Sequence, residues 1–87
     1  MKAVTIYTTG YCGFCVKAKA LLKARKVPFQ EIDVEGDDDK RKWLLEMTGR
    51  ATVPQIFIGE QSIGGYTDLA ALDRSGALPQ LLDDDNG

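Results

Sequence analysis

The two cysteines of the chain lie three residues apart, in the segment Tyr11-Cys12-Gly13-Phe14-Cys15. Residues 4–7 before them alternate at period two, which predicts a strand, and the strong helix formers at residues 13–26 predict a helix. Free backbone N–H groups at a helix start can stabilise a thiolate, the form of cysteine that attacks disulfides. We therefore predict that Cys12, at the cap, is a redox nucleophile. Cys15, one turn inside, is expected to be covered and to act as the resolving thiol.

Two other interpretations of the cysteine pair are weaker. Two cysteines at helical spacing can be ordinary small core residues, which fits Cys15 but does not explain Cys12 at a glycine-rich junction. A structural zinc site is disfavoured because the chain has two cysteines and no histidine, too few for a closed site of four sulfur and imidazole ligands. We therefore predict no metal ligand in the redox reaction.

Length and composition predict one domain over residues 1–87, with a frayed acidic tail at residues 83–87. The hydrophobic fraction of 44% can fill a modest core, and the net charge of −2 gives no case for nucleic-acid binding. No apolar run approaches the roughly 20 residues that span a membrane, and the first residues lack the features of a signal peptide. We expect a cytoplasmic protein, in which a close cysteine pair is more often catalytic than structural.

The remaining strands follow from period-two and apolar runs at residues 30–34, 55–58 and 61–63. Gly59-Glu60 between the last two suits a tight hairpin. Strand, helix and strand within about thirty residues form a βαβ unit, so the first two strands should be parallel. The predicted order β-α-β-α-β-β-α belongs to the α/β class, with a mixed four-stranded sheet flanked by helices.

Two further helices are predicted. One ends at Gly49, and its spacing predicts that three side chains pack inward: Trp43, Leu44 and Met47. The other is capped by Thr67 or Asp68 and closed by Gly76, and residues 78–82 can add a short helical turn.

Two more segments can bind a peptide. Thr52-Val53-Pro54 precedes a strand, and a cis bond before Pro54 would turn the N–H and C=O of Val53 outward toward an extended peptide. A trans proline that simply opens the strand is the commoner case. The segment Gly64-Gly65-Tyr66-Thr67-Asp68 permits close backbone approach at a helix start, which can receive a carboxylate or be a plain capped loop.

In this order and spacing, the three segments resemble those of glutaredoxins, over residues 4–82. The resemblance implies a thioredoxin-like fold with Pro54 in the cis form. It also implies a glutathione-dependent thiol-disulfide oxidoreductase whose partners are glutathione and disulfide-containing or glutathionylated proteins. In this role the protein is expected to be a monomer.

The resemblance also assigns roles to residues. Cys12 would form the mixed disulfide with glutathione, Val53 would pair with its cysteinyl part, and Arg41 would contact its glycine carboxylate. Thr67 and Asp68 would hold the γ-glutamyl end. The complete implied glutathione site consists of Phe14, Arg41, Thr52, Val53, Pro54, Gly65, Thr67 and Asp68.

Three positions depart from the commonest pattern of the family. Phe14 stands where many members carry tyrosine, and Thr9 stands where a lysine often helps to bind glutathione. Gly13 replaces a frequent proline. Members with glycine or serine there include ones that hold a two-iron two-sulfur cluster between two protomers. The alternative function is therefore a cluster carrier or sensor, dimeric when loaded, with Cys12 and glutathione as ligands.

Overall fold

The computed structural model describes residues 1–83, and within them it contains four strands and four helices. In chain order these are β1 (Val4–Thr8), α1 (Gly13–Ala24), β2 (Gln30–Asp33), α2 (Asp38–Thr48), β3 (Gln55–Ile58), β4 (Gln61–Gly64), α3 (Tyr66–Ser75) and α4 (Leu78–Leu82). The predicted order of elements is confirmed. No helix in residues 1–83 is long and apolar enough to cross a membrane.

The four strands form one mixed sheet in the order β2-β1-β3-β4. β1 runs parallel to β2 and antiparallel to β3, and β3 and β4 form the predicted hairpin. The parallel pair needs a crossover, which α1 supplies. Because β1 is a central strand held on both sides, the loop after Thr8 leaves the sheet from a fixed point and carries Cys12.

Each face of the sheet buries its own apolar cluster. Ile6 and Ile56 pack on one face with α1 and α3, where Leu22 and Leu69 are buried against them. The opposite face holds a smaller cluster under α2: Val34, Leu44 and Phe57, with Tyr7, Ile32 and Val53 beside them. Alternating residues along β1 and β3 supply the two clusters, as the period of a strand requires.

The inward face of α2 is narrower than predicted. Leu44 is buried as expected, but the prediction for Met47 is wrong, since 55% of that residue is exposed. Trp43 is partly covered, with its ring 5.7 Å from that of Tyr7 and 6.0 Å from that of Phe57. The small cluster on this face accommodates one stripe of α2 side chains, so Met47 has no core position to fill.

Several element ends also differ from prediction. α1 stops at Ala24, because Lys26 adopts a left-handed backbone (φ 58°). The proposed caps for α3 are wrong: Gly65 is the N-cap and Asp68 is the third helical residue, whose carboxylate accepts from the Gly65 N–H. Asp83 is the C-cap of α4, and the rest of the predicted acidic tail, residues 84–87, lies outside the described residues.

Replacing Leu22 by alanine should lower the free energy of unfolding by about 2–5 kcal/mol, because it opens a cavity in the cluster that joins α1 to the sheet. Val16→Ala on the exposed side of the same helix is the control, expected within about 0.5 kcal/mol of the parent. Urea unfolding followed by circular dichroism measures both. Equal losses in the two variants would contradict this account of the core.

Candidate active site

The Cys12 sulfur lies at the N-terminus of α1, where backbone and side chain combine to hold it. Cys12 is the N-cap, with an extended backbone (φ −138°, ψ 104°), and its Sγ accepts a hydrogen bond from the Cys15 N–H at 3.1 Å. The residue is half-buried, and both cysteines are free thiols. A backbone donor and the positive end of a helix dipole both stabilise negative charge on sulfur. The placement predicted for Cys12 is therefore present.

A second contact ties Cys12 to the loop before β3. Its thiol donates to the Val53 carbonyl at 3.6 Å. This hydrogen bond exists only in the protonated form, since a thiolate has no proton to donate. The Val53–Pro54 peptide bond is cis, as the family resemblance implies. The 52–54 segment and the dithiol, 41 residues apart in sequence, are thus neighbours at one site.

Cys15 is chemically different from Cys12 although it is only one turn away. Only 2% of the residue is exposed. Burial, and next a side-chain hydrogen bond between the two thiols, raise the pKa of the Cys15 thiol to about 12. A raised thiol pKa favours the neutral form, so Cys15 stays protonated at neutral pH and cannot compete as the first nucleophile.

A shallow groove of about 170 Å³ lies beside the Val53–Pro54 bond. Six residues of the predicted glutathione site line it: Phe14, Thr52, Val53, Pro54, Gly65 and Thr67. A larger apolar cavity of about 430 Å³ lies elsewhere, between the end of α1 and α4, and Cys12 lines neither this cavity nor the groove. The smaller groove is the candidate site because Cys12 Sγ lies 3.6 Å from the carbonyl of Val53, which lines it.

The two remaining predicted residues do not line the groove. Asp68 lies beside it, where its Oδ2 accepts from the Gly65 N–H and from the Arg50 guanidinium, both at 2.9 Å. These contacts, the Gly65 N–H first, lower the pKa of Asp68, so its side chain is a carboxylate at neutral pH. Arg41 is exposed on α2, with Nη2 3.5 Å from the carbonyl of Ala51.

Two groove residues are absent from the predicted site. Arg50, two residues before Thr52 in the sequence, lines the groove. A cation this close to the Thr52-Val53-Pro54 segment is a sequence signal that could have identified it. The ring of Tyr66 stacks on that of Phe14 with centroids 6.1 Å apart, and the Lys17 ammonium lies 5.5 Å from the Phe14 ring. These rings form an apolar wall of the groove.

Comparison with known proteins agrees with this geometry. The family described as Glutaredoxin matches residues 4–63. Glutaredoxin 3 of Escherichia coli (strain K12) is 50% identical over 82 residues, which cover 94% of this chain and 99% of that protein. The solution structure of glutaredoxin from Brucella melitensis has a TM-score of 0.85 and 45% identity, covering 94% of this chain and 89% of that one. The crystal structure of a buckwheat glutaredoxin-glutathione complex has a TM-score of 0.85 and 31% identity, covering 93% and 76%.

Alkylation should separate the two sulfurs. With iodoacetamide at pH 7, the folded protein should be modified at Cys12, while Cys15 reacts more slowly by about a hundredfold or more because it is buried and neutral. Mass spectrometry of the digested protein gives both rates, and the urea-unfolded protein, in which both sites should react, is the control. Comparable rates in the folded protein would overturn the assignment.

Proposed function

The chain belongs to the glutaredoxin family and is a thiol-disulfide oxidoreductase, and on that premise we propose that glutathione is the thiol that drives its reaction. The observation that carries the proposal is the position of Cys12, which touches the helix start on one side and the carbonyl of the groove residue Val53 on the other. Support comes from the buckwheat relative, which was solved as a complex with glutathione. The protein substrates would be glutathionylated or disulfide-containing proteins.

The groove supplies backbone groups suited to a short peptide. The N–H of Val53 has no acceptor among residues 1–83, so it is available to a ligand carbonyl. When Cys12 ionises or forms a mixed disulfide, the Val53 carbonyl loses the thiol donor and can accept from a ligand N–H instead. Val53 would then pair with the cysteinyl residue of glutathione in the manner of a β-strand.

With a glutathionylated protein, the Cys12 thiolate attacks the glutathionyl sulfur and the disulfide bond breaks. The protein leaves as a thiolate and takes a proton from water, and glutathione stays bound to Cys12 as a mixed disulfide. A second glutathione, as its thiolate, attacks the sulfur of the bound one. This step releases glutathione disulfide and restores the Cys12 thiolate, so the route does not need Cys15.

With a protein disulfide, Cys12 attacks one sulfur and the other leaves as a thiolate. Cys15 then gives its proton to water and attacks Cys12 Sγ, which breaks the mixed disulfide and closes a Cys12–Cys15 disulfide. The reduced protein leaves as a thiolate, and its two thiolates take up protons from water. Two glutathione molecules reduce that bond and leave as glutathione disulfide. Burial, the largest cause of the raised pKa of Cys15, opposes this deprotonation.

Cys12→Ser should abolish both routes, whereas Cys15→Ser should keep more than about half of the activity on a small glutathione mixed disulfide and lose most of that on a protein disulfide. Consumption of NADPH, coupled through glutathione reductase, measures both activities. Lys23→Ala, at an exposed position eight residues after Cys15 on the same helix, serves as the matched α1 control. Activity of Cys12→Ser equal to the parent would refute the proposal.

A second candidate function is the two-iron two-sulfur cluster, which Gly13 favours. A Cβ at Gly13 would meet nothing within 4 Å, so the space next to Cys12 is open at this position. Residues 1–83 contain no group of three or more side chains able to hold a metal. Of the two cysteines, Cys15 is buried and Cys12 is partly exposed, so a cluster would need Cys12 from two chains with two glutathione thiolates. Bound in this way, it would supply electron storage or cluster transfer.

Anaerobic reconstitution with iron, sulfide and glutathione tests that alternative. A cluster should give visible absorption and a dimer on gel filtration, both lost in Cys12→Ser, while Cys15→Ser retains them. Gly13→Pro should weaken the absorption while deglutathionylation by Cys12 persists. A colourless monomer in every preparation argues for disulfide chemistry alone. A monomeric state in that role and a cytoplasmic location remain parts of the proposal.

A further inference from the structure

Arg50 is the only charged residue among those that line the groove. Its backbone is fixed by the Thr48 hydroxyl at the end of α2, which accepts from the Arg50 N–H at 3.1 Å and lies 3.2 Å from the Arg50 carbonyl. The side chain therefore starts from a defined position and reaches across to α3. A guanidinium has five N–H donors, and in residues 1–83 its one hydrogen-bond partner is Asp68.

The contact between Arg50 and Asp68 is a poor explanation for stability. The two side chains are 51% and 39% exposed, and exposed ion pairs contribute little to the free energy of folding. The absence of a side chain at Gly64 nevertheless leaves space for the two side chains. Gly64 has a φ of +112°, and a Cβ there would clash with the Asp68 carboxylate and come within 3.1 Å of Arg50 Nη1. The cation and the carboxylate thus lie directly against the backbone at one end of the groove.

A cation and an anion side by side suit a ligand that carries both opposite charges. Asp68 receives both of its hydrogen bonds at Oδ2, so Oδ1 can still accept from a ligand ammonium. Arg50 has donors left for a carboxylate. Close by, the N–H of Thr67 lies in the first turn of α3, where backbone donors have no acceptor within the helix. An α-amino acid group, with its ammonium and carboxylate on one carbon, matches this set.

We propose that Arg50 is a substrate-binding residue that holds the α-carboxylate at the γ-glutamyl end of glutathione, next to the Asp68 carboxylate that receives the ammonium. The inference rests on the proposed function, because it names the part of glutathione that Arg50 contacts. Glutathione has two carboxylates and one ammonium, so its net charge is negative. Arg50 gives the groove a positive charge that complements it. Arg41 does not line the groove, and its guanidinium contacts the carbonyl of Ala51.

Removing the same contact from the protein and from the substrate tests this assignment. The substrates are mixed disulfides of one small thiol with glutathione, with γ-aminobutyryl-cysteinyl-glycine, which lacks the α-carboxylate, and with γ-glutamyl-cysteine, which lacks the glycine. Arg50→Gln should lower kcat/KM for the glutathione substrate about tenfold, mainly through KM, as expected for the loss of a charge-assisted hydrogen bond. On the substrate without the α-carboxylate its effect should be under about twofold.

Two further variants complete the design. Arg50→Lys keeps the charge without the planar fork and should lose less than Arg50→Gln. Arg74→Gln, which removes an exposed arginine from the last turn of α3, should match the parent on every substrate.

Each other pattern overturns the assignment. Equal losses on all three substrates would make Arg50 a structural partner of Asp68. A loss that disappears only with γ-glutamyl-cysteine would place Arg50 at the glycine carboxylate. A parent that does not prefer the glutathione substrate over a mixed disulfide of cysteine would instead refute the proposed function itself, and the inference with it.

Discussion

The hydrogen bond from the Cys15 N–H fixes the position of the Cys12 sulfur, and the proposed reaction depends on that position. It forms because Cys12 occupies the cap of α1, where the chain turns from an extended to a helical backbone. That turn is held in place from both sides. β1 is a central strand with pairing on both edges, and α1 is anchored by Leu22 in the larger apolar cluster. Packing far from the sulfur therefore keeps the backbone donor aimed at it.

The same helix separates the roles of the two cysteines. A helix rotates successive residues around its axis, so a cap residue can face water while the residue three positions later faces the core. Cys15 lies in the interior, where the loss of hydration penalises a thiolate and raises its pKa to about 12. Two identical side chains thus lie in different environments, and burial is the largest cause of the raised pKa of Cys15.

The groove is assembled from segments that are distant in sequence. The start of α1, the loop before β3 and the start of α3 meet there because β1 and β3 are neighbours and β4 leads directly into α3. Backbone groups of Val53 and the first turn of α3 supply hydrogen bonds. Arg50 and Asp68 add charge at one end, in space that Gly64 leaves free. In the proposed function, a short peptide disulfide would lie along this surface with its sulfur at Cys12.

The sequence by itself determined the order of elements, the parallel pair β1–β2 and the dithiol at the start of α1, because these depend on periodicity and spacing within short stretches. The residues also indicated two segments that can bind a peptide, and resemblance to a family selected the cis form of Pro54 and implied glutathione as the peptide. Tertiary structure decided what local pattern cannot encode. Met47 is exposed because the apolar cluster under α2 is small. Asp68 is not the N-cap of α3; its carboxylate accepts from the N–H of Gly65, which is the N-cap. Arg50 lines the groove because its long side chain extends from the loop after α2 and pairs with Asp68 on α3. Local sequence pattern does not predict such a contact.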